Sequence, residues 1–356
     1  MTTKTIRVEV DDALRAACQP FDYAFDGTST FDVPEFDAPK RDGSWGIGLI
    51  VGPSGSGKTT LLSQHYGISK PFVWDMSKAI ASQVDFNKLM AVGLNSVPAW
   101  CRPFHVLSNG EAFRANMAAV LDNDTSFDEF TSVVDRNVAK SCSHAIQRHI
   151  REAGIKGVVF SSCHYDIIEW LQPDWVFDVQ KGQVIQQGFF RKREPVGLDV
   201  RRCDRSVWSI FRQHHYLTGE MNKAAQCYAA YWGDAMVGFC AVLAFPNGNF
   251  KNAFRGHRTV VLPDYQGLGI GVRLSDAVAR HYVANGCRFF SKTAHPRMGE
   301  YRQKSANWKA TSKNKMNRED YKVAQITDSR KEGKHMLLHA NRTCYSHEYI
   351  LSHDAQ

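Results

Sequence analysis

The sequence predicts two α/β units joined in tandem. Three observations lead there. A GxxxxGK[ST] loop, Gly52-Pro53-Ser54-Gly55-Ser56-Gly57-Lys58-Thr59-Thr60, follows an apolar strand and precedes a helical stretch. A second glycine-rich loop, Gln266-Gly267-Leu268-Gly269-Ile270-Gly271, lies at another strand-to-helix junction far downstream. The charge also divides unevenly. Residues 1–195 hold 20 Lys/Arg against 23 Asp/Glu, whereas residues 196–356 hold 24 against 13.

In chain order, residues 5–10 alternate polar and apolar and read as a strand. Ile47–Val51 is a short apolar strand, and Thr59–His65 starts the helix after the loop. Phe72–Trp74 reads as a strand, residues 76–106 as a small helical insert, and Glu111–Leu121 as a helix. Val158–Ser161 and Trp175–Val179 are strands, and the Lys181-Gly182 turn leads to a further strand, Gln183–Gln187. Arg191-Lys192-Arg193-Glu194-Pro195 is polar and ends in a helix breaker. The expected division is therefore a first unit over 1–190, a basic linker over 191–205 and a second unit over 206–356. In the second unit Val207–Leu217 reads as a helix. Gln226–Trp232 and Met236–Phe245 read as a hairpin around Gly233-Asp234. Thr259–Leu262, the helix Val272–Asn285 and the strand Cys287–Thr293 follow. Met336–His339 and Cys344–Ile350 are candidate closing strands.

At 356 residues, with 43% hydrophobic and 22% charged residues, the chain has the composition of a globular protein with two real cores. No apolar run is long enough to span a bilayer, and MTTKTIRVEVDD has no signal-peptide core. Nine dispersed cysteines without a CxxC pair suit a reducing compartment. These features predict a cytoplasmic protein without a membrane partner.

The first loop has a direct physical reading. Its glycines Gly52, Gly55 and Gly57 let backbone N–H groups wrap phosphates, with Ser54 and Thr60 beside them. Lys58 reaches the β and γ oxygens, and Thr59 offers a hydroxyl to Mg²⁺. Three ordered segments then make residues 5–187 resemble the ATP-binding cassette (ABC) ATPases. They are Leu107-Ser108-Asn109-Gly110-Glu111, Asp128-Glu129 with the run to Asp135, and Val158 to His164. The resemblance implies a P-loop NTPase fold binding ATP and Mg²⁺. It implies that Asp128 orders the metal shell, Glu129 polarises the attacking water and His164 senses the γ-phosphate. Gln83 is the candidate for the family's metal-contacting glutamine. The resemblance also implies an ATP-dependent head-to-tail homodimer, with Ser108 and Gly110 completing the partner's site. Asn109, Glu111 and Phe130 depart from the family's commonest residues, and the segment before Asp128 is unusually polar.

Residues 206–350 resemble the GCN5-related N-acetyltransferase (GNAT) fold, carried by the loop Gln266 to Gly271 after Leu262. The resemblance implies an α+β unit with a mixed, mostly antiparallel sheet. It implies that Leu262, Gln266, Gly267, Leu268, Gly269, Ile270 and Gly271 bind acetyl-CoA or another acyl-CoA. Tyr301 is a candidate proton donor to the leaving thiolate. Asp264, His214, His215 and His295 are candidate bases. His214-His215 also fits a packed or capping cluster.

Residues 297–334 hold eleven Lys/Arg against five Asp/Glu and interleave Tyr301, Trp308 and Tyr321. Such an arm suits a phosphate backbone and unstacked bases. It also fits a solvated arm. The expected function is an ATP-dependent acyltransferase acting on an amine of a nucleic-acid base, with the cassette as clamp or motor. In idea this is similar to the Mom-type phage acyltransferases that modify adenine in DNA. Two alternatives stand beside it: an ATP-gated dimeric regulatory module with a weakly catalytic CoA-binding domain, and an acyltransferase for a protein or small amine.

Overall fold

Ile47–Val51 is fully buried along its whole length, as a strand covered on both faces of a parallel sheet must be. The computed structural model describes residues 2–186, 195–215, 220–246, 250–318 and 342–351. Two compact units emerge, one of Met1–Asn95 with Ala99–Glu194 and one of Ser96–Pro98 with Pro195–Gln356.

In chain order to the end of the first unit, the elements are β1 (Thr2–Arg7), α1 (Asp12–Cys18), β2 (Thr28–Val33), β3 (Ile47–Val51), α2 (Lys58–His65), α3 (Phe86–Ala91) and α4 (Val97–Trp100). Then follow α5 (Asn109–Val120), β4 (Ser126–Phe127), α6 (Arg136–Ala153), β5 (Val158–Ser162), α7 (Ile168–Leu171), β6 (Trp175–Asp178) and β7 (Gln183–Gln186). The main sheet has the order β4-β5-β3-β6-β7. It is parallel except for β7, which returns antiparallel on β6. β1 and β2 pair separately.

The start of β3 is held by one carboxylate. Asp174 accepts the N–H groups of Gly46 and Ile47 at 2.7 and 2.9 Å, and it pairs with Arg151 of α6. Arg41 binds the opposite edge, donating to the carbonyls of Gly157, Tyr66 and Thr125 and to the Ser126 hydroxyl. These long-range bonds fix β4 although it is only two residues long.

The sequence reading differs in several places. The opening strand is Thr2–Arg7, not 5–10. Phe72–Trp74 forms no strand. Trp74 donates instead to Asn116 of α5 at 2.7 Å and stacks on Phe104. The 18-residue α6, capped by Asp135 through Asn137 and Val138, was not anticipated.

The second unit contains β8 (Asp199–Cys203), α8 (Trp208–Phe211), β9 (Gln226–Trp232), β10 (Ala235–Ala244), β11 (Ala253–Val261), α9 (Ile270–Ala284), β12 (Arg288–Thr293), α10 (Pro296–Lys304), β13 (Trp308–Ala310), β14 (Met316–Arg318) and β15 (Arg342–Tyr349). Among the described residues the sheet runs β13-β15-β12-β11-β10-β9-β8, with β14 on β15. Every pairing is antiparallel except β11 with β12. β8 lies within the stretch expected to be a linker. It pairs along β9 and so belongs to the second sheet. The expected helix 207–217 is a short α8 flanked by single 3₁₀ turns as far as His214. The expected strand Met336–His339 and Tyr321 fall outside the described residues.

Packing in the first unit leaves no space at Gly48. A Cβ there would lie 2.1 Å from the Trp175 indole. Gly48→Ala should therefore destabilise the protein by about 1–3 kcal/mol, the usual cost of overpacking. The Gly197→Ala control, with no atom near its added Cβ, should not. Thermal unfolding checks this, and equal melting temperatures for wild type and Gly48→Ala would contradict it.

Candidate functional site

The first loop is built by β3 delivering the chain to α2. Gly57 is the N-cap of α2 at φ +91°, in the left-handed region that glycine alone adopts cheaply. The turn aims the free N–H groups of the first helical turn back over the loop, where they and the helix dipole favour an anion. Gly52 N–H donates to the Ser162 carbonyl of β5 at 3.3 Å. Lys58 arches over the loop, its ammonium 2.6 Å from the Pro53 carbonyl. Ser54, Gly55 and Thr59 are exposed, and Thr60 is half-buried.

Two serines at the end of β5 organise the segment that carries the expected catalytic residues. The Ser161 hydroxyl donates to Asp128 and accepts the Glu129 N–H. The Ser161 carbonyl accepts the Phe130 N–H at 2.7 Å. The Ser162 hydroxyl donates to the Phe130 carbonyl and accepts the His164 N–H. Asp128, Glu129 and His164 are thus tied to one strand end, next to the strand that feeds the loop. Glu129 and Thr131 both have positive φ, +49° and +70°. The Thr131 hydroxyl meets His164 Nδ1 at 3.2 Å. Burial, then the nearby Arg136 charge, hold the His164 pKa below its usual value.

Two expected residues are engaged elsewhere. Gln83 accepts the Asp75 N–H at 2.8 Å and donates to the Asp75 and Lys78 carbonyls. Its amide closes the 75–83 loop, and no hydrogen bond among the described residues ties it to the first loop. Ser108 is the N-cap of α5 in a reciprocal capping box. Its hydroxyl accepts the Glu111 N–H, and Glu111 accepts the Ser108 N–H at 3.0 Å. The departure Glu111 thus has a local role: its carboxylate satisfies the helix start. Gly110 lies in the first turn of α5.

In the second unit, β11 leads through Leu262 and a single turn, Pro263–Tyr265, to the loop before α9. Gly269 is the N-cap of α9 at φ +74°. Gln266 is buried, donating to the Val261 carbonyl at 3.0 Å. Leu268 and Ile270 are buried anchors on either side of Gly269. Gly271 faces Val261, where a Cβ would sit 3.4 Å from that side chain. The outcome is a helix N-terminus on a rigid, apolar-anchored loop, again suited to phosphate.

β11 and β12 pair only through Ala253–Arg255 and Arg288–Phe290. Beyond Arg255 no pairing with β12 continues among the described residues. Among the described residues the edge of β11 leading to the loop carries no further strand. A β-bulge lies in the same stretch. Arg258 faces Ala241 and Gly256 faces Val242, so His257 is the extra residue. Bulges re-aim side chains in this way. The His257 Nε2 is buried without a hydrogen-bond partner. Burial, then the Arg258 and Arg255 charges, push its pKa down to about 4. Sequence reasoning missed His257, because a bulge leaves no local signature in a strand of this composition.

The expected candidates lie differently. Tyr301 donates its hydroxyl to Asp276 of α9 at 2.5 Å, and Trp308 donates to the other oxygen at 2.8 Å. Burial, then this bond, push the Tyr301 pKa up to about 12. The proton expected to reach a thiolate is therefore committed to a carboxylate. His215 packs edge-on to Trp208, which the core cluster contains. His214 meets the Gln213 side chain. Asp264 is exposed on the Pro263–Tyr265 turn. His295 is the residue preceding α10, with a buried unpartnered Nδ1 and a pKa lowered mainly by burial.

Fold and loops define an α/β unit with a GxxxxGK[ST] loop, followed by a sheet unit with its own glycine-capped loop before a helix. Residues 165–302 match the family model "Acetyltransferase (GNAT) family", a segment that begins in the first unit just before α7 and ends within α10 of the second. That segment is similar to the GNAT family. Solved structures similar to parts of the chain include ATP-binding cassettes and acetyltransferases. The post-hydrolysis dimer of the ATP-binding cassette MJ0796, bound to ADP and Pi, is 15% identical over 46% of this chain and 91% of that chain, with TM-score 0.34. The Escherichia coli ribosomal-protein-S18-alanine N-acetyltransferase is 10% identical over 45% and 99%, with TM-score 0.32. A Bacillus subtilis acetyltransferase in complex with CoA is 12% identical over 43% and 98%, with TM-score 0.31. No curated protein matches the sequence. Among the described residues no helix is long and apolar enough to cross a membrane.

His164, His257, His295 and His347 all have lowered pKa values, each chiefly through burial. The folded state holds them neutral, while the unfolded chain takes up protons near the ordinary value of about 6.5. The stability they allow is present above that value and is lost as pH falls below it. The melting temperature should fall between about pH 7.5 and about pH 5, less steeply in His257→Gln. An unchanged or rising melting temperature over that range would contradict the assignment.

Proposed function

We propose that the chain is an ATP-dependent acyltransferase that moves an acyl group from an acyl-CoA to an exocyclic amine of a nucleic-acid base. The observation that carries the acyl-transfer reading is the Gly269-capped loop before α9, inside the segment that matches the GNAT family. The N–H groups of that helix start would receive the CoA pyrophosphate, and the unpaired edge of β11 would receive its extended arm. The amine attacks the thioester carbonyl, the C–N bond forms and the C–S bond breaks. His257 takes the proton from the amine nitrogen, and the thiolate leaves to be protonated by solvent.

A nucleobase amine is neutral at physiological pH and turns acidic only as the C–N bond forms, so His257 would meet it as a neutral base. The excess of Lys/Arg after residue 195 supports a polyanionic acceptor. In the first unit, Lys58 and the start of α2 would hold the triphosphate. Thr59 and Asp128 would hold Mg²⁺, and Glu129 would orient water. Two chains would close head to tail over two ATP molecules, with Ser108 and Gly110 acting in trans.

The commitment of Tyr301 to Asp276 favours a second reading, a regulatory CoA-binding module with little turnover. Radiolabelled acetyl-CoA incubated with a mixed-sequence oligonucleotide separates the two. Label on the oligonucleotide supports the enzyme. CoA binding without release of free thiol supports the module.

His257→Gln should lower kcat by about 10²–10⁴ with little change in the KM for acyl-CoA. In the wild type kcat/KM should rise through about pH 4 and stay level across neutrality, because the base is free above its lowered pKa. A rise centred near the ordinary histidine value of about 6.5 would remove His257 from this role. Lys58→Ala should weaken ATP binding roughly 10- to 150-fold, the worth of a charge-assisted hydrogen bond, and leave acyl-CoA affinity unchanged. Titration calorimetry reads both, and retained ATP affinity would contradict the assignment of Lys58.

A further inference from the structure

The sheet of the second unit has two unlike faces. α9 packs on one, with Gly238 and Val261 against Leu274 and Gly271. α8 covers part of the other, where Trp208 and Phe211 pack on Phe239, Ala241 and Val260. Further along this second face the register aligns Leu243, Arg255, Phe290, Glu348 and Lys309 across five strands. Residues in register share a face. Arg255, Phe290 and Glu348 are half-buried, and Lys309 is exposed.

The side chains here form stacks. The Arg288 guanidinium lies 3.6 Å from the Phe250 ring centre and 5.1 Å from that of Phe290. Arg255 lies 4.9 Å from the Phe245 centre. Phe245 and Phe250 each meet Phe290 at about 6 Å. Glu348 grips Arg288 with both oxygens, at 2.5 and 2.6 Å. That pair cancels the Arg288 charge but locks its plane. Arg255 and Lys309 have no carboxylate partner among the described residues.

We infer that this face is a stacking platform for an unpaired stretch of nucleic acid. The inference rests on the proposed acyl transfer to a nucleobase and deepens it. Phenyl rings and a fixed guanidinium plane offer π surface to successive bases, which sequence-tolerant single-strand binding requires. Arg255 and Lys309 supply charge to the phosphates between them. A duplex keeps its bases stacked on each other and has no such surface to give. His257 lies two residues beyond Arg255 on the same strand, so a base splayed on this face is delivered toward the proposed base catalyst.

Fluorescence anisotropy with labelled oligothymidylate and oligouridylate of about 16 nucleotides tests this. Wild type is compared with Phe290→Leu, which keeps apolar volume and removes the π face, and with Arg255→Gln. Each variant is first shown to bind acetyl-CoA as wild type does. Phe290→Leu should weaken binding about fivefold or more without changing the salt slope. Arg255→Gln should weaken binding and reduce the slope by about one. The tighter oligonucleotide identifies the polymer. Wild-type binding that both variants retain would overturn the platform while leaving the nucleic-acid reading standing. Absence of wild-type binding to either oligonucleotide would overturn both.

Discussion

Both units depend on one backbone constraint: a glycine held at positive φ directly before a helix that follows a strand. Gly57 at φ +91° starts α2, and Gly269 at φ +74° starts α9. The left-handed residue turns the chain sharply enough that the N–H groups of the first helical turn face the loop rather than the preceding strand. A side chain at either position would strain the turn. The surroundings serve this constraint. Gln266, Leu268 and Ile270 anchor the second loop from within, and the carbonyl of Ser162 anchors the first.

In the first unit, the adjacent hydroxyls of Ser161 and Ser162 bring the rest of the site to that loop. β4 is too short to position Asp128 and Glu129 by pairing alone. The serines replace the missing strand with hydrogen bonds to Asp128, Glu129, Phe130 and His164. The polar approach Asp124-Thr125-Ser126 is satisfied by other partners: Arg41 donates to the Thr125 carbonyl and the Ser126 hydroxyl, and the Ser69 hydroxyl accepts the Ser126 N–H.

The sequence made legible what is encoded by local chemistry. Both loops, the strands that feed them, the helices that follow and the β9–β10 hairpin could be read from glycine spacing and apolar runs. What long-range contacts decide was hidden. Arg201 and Arg202 give residues 199–203 a linker's polarity, yet β9 recruits them as an edge strand. Tyr301 looks available until α10 brings it to Asp276. Gln83 has the right chemistry but closes its own loop. His257 is unremarkable in sequence, since its character comes from a bulge set by pairing with β10 and from two flanking arginines.

The account stands on acyl transfer to a nucleobase, and the products themselves test it most directly. Cells expressing wild type and cells expressing Gly269→Glu, which places a carboxylate where the pyrophosphate would sit, can be compared by mass spectrometry of nucleosides from their total DNA and RNA. The account predicts one nucleoside with an added acyl mass, present only with wild type. Both proteins folded, acyl-CoA bound by wild type alone and nucleosides identical in the two samples would contradict it.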